Sequence, residues 1–144
     1  MTDIFKDKNY KLSENFPLYE FLVSRDHPQI AENMEIKLLQ VMTLKFLCLA
    51  ILQPIRDMLG PIKVLSGFRN DELNSIIGGA LNSDHKYGSA ADITSSYFNS
   101  EVLYKRIKDD IFPYRQLICY PKKNFVHVSI NIPQKTEKHE FFIK

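Results

Sequence analysis

The 144-residue chain has only two cysteines, Cys48 and Cys119. They sit in apolar runs far apart and match no CxxC or zinc-finger spacing, so they read as buried thiols rather than as ligands or a disulfide. Long apolar runs are missing too. "FLCLAIL", Phe46 to Leu52, falls far short of the ~20 residues a membrane span requires, and no span is expected. The opening "MTDIFKDKNYKLSENF" lacks a basic stretch followed by an apolar one, which argues against a signal peptide and for synthesis in the cytoplasm. Neither sign of charge dominates: 19 lysines and arginines face 17 acidic residues, a net +2. The basic residues are scattered along the chain, so nucleic acid is not a favoured partner. Repeats, low-complexity segments and linkers are absent. The length suits one domain spanning residues 1–144, with a single core and one site, and we expect a monomer.

What is present is a pattern of alternating elements. From Asn33 to Leu59 apolar residues recur at helical spacing (Leu38, Val41, Met42, Phe46, Leu49, Ile55, Met58), predicting one long core helix kinked near Pro54 and stopped by Gly60 and Pro61. "IKVLS", Ile62 to Ser66, reads as a short strand. Asp71 to Ile77 reads as a short helix closed by Gly78 and Gly79, and Asn99 to Asp110 as a small amphipathic one. "SAADITS", Ser89 to Ser95, reads as a strand with Ala91 and Ile93 on one face and Asp92 and Thr94 on the other. "RQLICY", the four-residue loop "PKKN" and "FVHVSIN" predict a β-hairpin, with an edge strand near "EFFIK". The fold class is α+β, a small mostly antiparallel sheet with flanking helices.

In "FVHVSI" strict alternation puts Val126, Val128 and Ile130 on one face, the natural core face, and Phe125, His127 and Ser129 on the other. His127 therefore points away from the core. With His85 from the "SDHKYG" loop and Asp92 from the following strand, it completes a set of two imidazoles and a carboxylate, a known catalytic zinc arrangement when a fourth position stays open. By spacing alone, a histidine and an aspartate in a glycine-containing loop are more often a turn with local hydrogen bonds than a ligand pair. His27 and His139 lie outside the set and read as solvated or structural.

"SDHKYGSAAD", Ser83 to Asp92, matches S-x-H-x-x-G-x-A-x-D and is followed downstream by "FVHVS". In this it resembles the zinc peptidase family of D-Ala-D-Ala carboxypeptidases and phage endolysins, most closely its small single-domain phage and prophage branch. The similarity extends through "LSGFRNDELNSIIGGALNSDH" and more loosely to "ENFPLYEFLVS" and "PIRDMLG". The resemblance implies a hedgehog and DD-peptidase-like fold, and one Zn2+ held by His85, Asp92 and His127. It also implies hydrolysis of a peptide bond in peptidoglycan stem peptides, of the D-Ala-D-Ala carboxypeptidase or L-Ala-D-Glu endopeptidase type. Arg69, in "SGFR", resembles the family arginine that binds a substrate carboxylate or the developing oxyanion. Ser83 resembles the family serine that hydrogen-bonds substrate, and reads equally as a loop cap.

The chain departs from the family where a glutamate or aspartate usually moves the proton. Asn124 stands three residues before His127, and Tyr120 stands at the end of the preceding strand. In the simplest hairpin register Tyr120 pairs with Phe125 and Ile118 with His127, so Tyr120 shares the face of His127. A phenol there can donate to an oxyanion but is a poor general base, and the alternative role is aromatic packing. Asp84, beside His85, is another candidate base. Three readings follow: a zinc metallopeptidase of phage or prophage origin acting on the cell wall, a zinc-stabilised module that binds peptidoglycan or serves in a virion without turnover, or a zinc-free structural domain.

Overall fold

The computed structural model describes residues 3–144. Its centre is a five-stranded sheet of β5 (Ile62–Ser66), β6 (Ala90–Ser95), β7 (Tyr114–Tyr120), β8 (Phe125–Ile130) and β9 (Glu140–Ile143), in the order β5-β6-β8-β7-β9. All neighbours are antiparallel except β7 and β9, so the expected edge strand is present but runs parallel to its partner. Two short two-residue pairings brace the N-terminal part. β1 (Ile4–Phe5) pairs with β4 (Ile36–Lys37), and β2 (Lys11–Ser13) pairs with β3 (Phe16–Pro17). Alongside them stands α1 (Pro28–Glu32). The α+β class is as expected.

The long helix begins at Leu38, five residues later than the apolar pattern suggested, because Ile36 and Lys37 are taken into β4. It runs as α2 (Leu38–Leu47), a π-helical turn (Cys48–Leu52) and α3 (Gln53–Leu59). Proline at 54 cannot donate a backbone hydrogen bond, and the π turn just before it is where the ladder is loosened. It is 22 residues long, and over its most apolar 18 residues the mean hydropathy is 1.8, enough by length and composition to cross a membrane. One face is nevertheless core: Val41, Leu44, Leu47, Ile51, Leu52 and Ile55 are almost wholly buried.

That burial corrects the sequence reading. Of the residues taken to form the core stripe, Leu38, Met42, Phe46, Leu49 and Met58 are about half exposed, and only Val41 and Ile55 are buried. The helix is apolar nearly all round, so its periodicity did not select the face that the sheet covers.

The inner face of the sheet carries Ala91, Ile93, Leu117, Cys119, Val126, Val128 and Ile130, all 1 % exposed or less. Both cysteines are buried and free, as their apolar surroundings implied. α5 (Ser100–Lys108) packs Leu103 and Ile107 under the strands, and α4 (Asp71–Ile76) follows the turn after β5. Each has an asparagine N-cap: Asn99 Oδ1 accepts from Val102 N–H, and Asn70 Oδ1 from Leu73 N–H. The opposite face of the sheet is left for chemistry.

Candidate metal centre

Two β-bulges shape that outer face. In β5 the register steps two residues, Val64 to Ser66, against one in β6, so Ser66 comes to lie opposite Asp92. In β7 it steps from Tyr114 to Gln116 against Ile130 to Ser129, leaving Arg115 as the extra residue. A bulge re-aims side chains without breaking the sheet.

Between the bulges, Asp92 and His127 are direct cross-strand partners. His127 Nδ1 lies 2.9 Å from Asp92 Oδ1, and His85 Nε2 lies 3.3 Å from the same oxygen. His85 arrives from a 3-10 turn, Asp84–Tyr87, capped by Ser83, whose Oγ accepts from His85 N–H at 3.3 Å. The turn ends at Gly88, φ 73°, ψ 20°, a left-handed conformation that favours glycine. His85 Nδ1 lies 2.7 Å from the Gly67 carbonyl oxygen. A carbonyl only accepts, so Nδ1 carries the proton and Nε2 presents its lone pair to the cluster. The "SGFR" segment thus sets the tautomer, and Arg69 N–H donates back to the His85 carbonyl.

One ligand atom from each of His85, Asp92 and His127 lies within 4.8 Å of the other two. Burial lowers the His85 pKa, partly offset by Asp92, which keeps the imidazole neutral and available as a donor. Burial alone would raise the Asp92 carboxyl, but His85 and His127 outweigh it and hold it well below the usual carboxylate range. Two imidazoles and an ionised carboxylate are the donor set of an open metal site, and the group could hold a metal ion.

Arg69 Nη2 lies 3.5 Å from Asp92 Oδ2, and its Nε donates to Ser66 Oγ at 3.1 Å. Burial lowers the Arg69 pKa, while Asp92 and Tyr120 act in the opposite sense. The hairpin has the expected register, Tyr120 opposite Phe125 and Ile118 opposite His127. Tyr120 stacks on Phe125 with ring centroids 4.6 Å apart. Arg69, His85, Asp92, Ile118, Tyr120, Phe125 and His127 line one cavity of about 650 Å3.

A family model described as Peptidase M15 matches residues 24–129, most of the chain and all three members of the cluster. The chain belongs to the Peptidase M15 family. No curated protein matches it.

Within this M15 chain the alternative base falls away, and Asn124 takes a structural role. The Asp84 carboxylate is gripped by Arg115 at 3.1 Å and Lys135 at 2.6 Å, so it is an ion-pair partner and not a free base. Asn124 adopts φ 53° at the hairpin end, and its Oδ1 accepts from Ser100 N–H, a purely structural contact. His139 stacks on Tyr114 and donates to its carbonyl, as a structural residue would. Sequence reasoning missed the basic character of the cavity. Arg69, Arg115, Lys123, Lys135, Lys138 and Lys144 all line it, against the carboxylates of Asp84 and Asp92. These cations are scattered in sequence and converge only through the sheet, so no local signal announced them.

Proposed function

We propose that the chain is a zinc metallopeptidase hydrolysing a peptide bond in peptidoglycan stem peptides, of the D-Ala-D-Ala carboxypeptidase or L-Ala-D-Glu endopeptidase type. The observation that carries this reading is the convergence of His85, Asp92 and His127, with the His85 tautomer set by Gly67, in a chain of the M15 family. Those three residues would hold one Zn2+. When bound, the ion supplies Lewis acidity toward a carbonyl oxygen and toward water.

The chain's own groups do the rest. Arg69 is held by Ser66 and Asp92 with part of its guanidinium facing the cavity, where it grips a substrate carboxylate through two parallel hydrogen bonds. Tyr120, braced by Phe125, donates its hydroxyl proton toward the oxyanion. Ser83 Oγ caps the His85 turn and also borders the cavity, so it orients both ligand and substrate. Made in the cytoplasm, a phage or prophage product with this activity acts on the wall after lysis or injection.

A second reading is a zinc-stabilised module that binds stem peptides without turnover. It is favoured by one observation: the carboxylates lining the cavity among the described residues, Asp84 and Asp92, are both committed to partners, and neither stands free to move a proton. General acid–base help is worth about 10²–10⁴ in rate, so its lack separates the readings kinetically. The test is mass spectrometry of defined muropeptides incubated with the zinc-loaded protein beside Asp92→Ala. Cleavage lost in the variant establishes the peptidase and names the bond. Intact muropeptides with zinc bound move the assignment to the binding module.

A further inference from the structure

Arg115 reaches the cavity because it is the extra residue of the β7 bulge; in an unbroken strand its neighbour Gln116 alone would face that way. It does not arrive as a surface charge. Arg115, Asp84 and Lys135 have side chains 9 %, 4 % and 7 % exposed, and Asp84 serves both cations, one on each oxygen. The triad therefore leaves a buried charge of +1. Lys135 is otherwise satisfied, by the Asn82 carbonyl and by the face of the Tyr87 ring, 5.0 Å away. Arg115 is not. Among the described residues Asp84 is its one partner, and its Nε is buried with none. A buried cation of this kind is costly unless an anion completes it.

We propose that Arg115 forms a second anion subsite in the cavity, separate from Arg69, that takes a substrate side-chain or backbone carboxylate. This rests on the peptidase reading, whose substrate class it narrows to acidic peptides. Gln116 pairs with Ser129, two residues along β8 from His127. Two to three residues of strand at ~3.4 Å each, plus one strand spacing of ~4.8 Å, place the subsite roughly 10 Å from the metal ligands. An extended peptide covers that distance in about two to three residues at ~3.5 Å each. Lys138, 44 % exposed at the same end of the cavity, adds attraction without fixing geometry. Arg115 supplies the geometry, because a guanidinium binds a carboxylate through a planar fork.

The test is binding to the zinc-loaded full chain, by thermophoresis, of acetylated alanine tetrapeptides ending in free D-alanine. Each carries glutamate, or its neutral twin glutamine, two or three residues before the end, and probe integrity is followed by mass spectrometry. The unsubstituted chain is expected to favour glutamate over glutamine at least tenfold at one of the positions. In Arg115→Gln that preference falls below twofold, while affinity for the glutamine probe is unchanged. If Arg115→Gln does not fold, Arg115→Lys, which keeps a cation on Asp84, is read instead, with an expected fall to a few-fold. Equal affinity for both probes in the unsubstituted chain, or a preference that survives both variants, overturns the subsite. Cleavage of muropeptides without glutamate preference removes the subsite and leaves the peptidase standing; preference without cleavage of any substrate does the reverse.

Discussion

Gly78 and Gly88 have nearly the same backbone angle, φ 72° and φ 73°, in very different surroundings. A Cβ at Gly78 meets nothing within 4 Å, whereas at Gly88 it lies 2.7 Å from the Gln40 carbonyl oxygen and 3.4 Å from Leu44 Cγ. Replacing either by alanine costs about 1–2 kcal/mol of left-handed strain. Reduced freedom of the unfolded chain offsets about 0.4–1 kcal/mol of that. Gly78→Ala should therefore destabilise by about 1 kcal/mol. At Gly88 the obstacle is backbone of the core helix α2, which cannot swing aside, and overpacking adds about 1–3 kcal/mol. For a chain of this size about 4 °C of Tm accompanies each kcal/mol, so the expected losses are about 4 °C for Gly78→Ala and about 8–16 °C for Gly88→Ala. Circular-dichroism melts in the presence of a chelator measure both. Gly88 also closes the turn that carries His85, its N–H donating to the His85 carbonyl at 3.3 Å, so Gly88→Ala alone should weaken zinc binding. Equal Tm losses in the two variants would refute the reasoning, since the strain is shared and only the space differs.

Other perturbations follow from the polar interior. Asp84→Ala leaves Arg115 and Lys135 buried without a carboxylate and should cost about 3–5 kcal/mol in urea unfolding; a loss under 1 kcal/mol would mean the triad is not buried as described. Gln53 ties the N-terminal hairpin to the long helix, accepting from Ser13 Oγ at 2.7 Å and donating to Asn15 Oδ1 at 2.8 Å. Gln53→Ala should cost about 1–3 kcal/mol and open residues 11–17 to hydrogen exchange before the sheet; unchanged protection there would count against this tie. Burial pushes the Cys48 thiol far up, so the unfolded chain releases its proton first, near pH ~8.5. Stability should then fall as pH rises above that value, and Cys48→Ala should flatten the decline; an unchanged slope would assign it to other groups.

The hairpin that carries His127 was legible because its alternation is strict and a four-residue loop leaves one simple register. His85 and Asp92 were legible through the family pattern S-x-H-x-x-G-x-A-x-D, since their spacing alone reads as a turn. The core face of the long helix was not, because hydrophobicity surrounds it and only the docking of the sheet distinguishes Leu47 from Phe46. Nor was the role of Arg115. Alternation assigns one of any two neighbours to each face, and a bulge breaks that rule with no consistent mark in sequence. Asp84 misled for a related reason: adjacency to His85 said nothing about Lys135, which lies 51 residues away and meets it only in the fold.

The bulge has a consequence for how such a chain can change. As the residue that β8 leaves unpaired, Arg115 can be deleted with Gln116 through Tyr120 still in step with β8. Asp92 and His127 then remain cross-strand partners, because the deletion falls outside their ladder. A single lost codon therefore removes the guanidinium while sparing the metal cluster, and a single gained one restores it. The proposed carboxylate subsite and the candidate metal cluster sit on separable pieces of one sheet, free to drift at different rates.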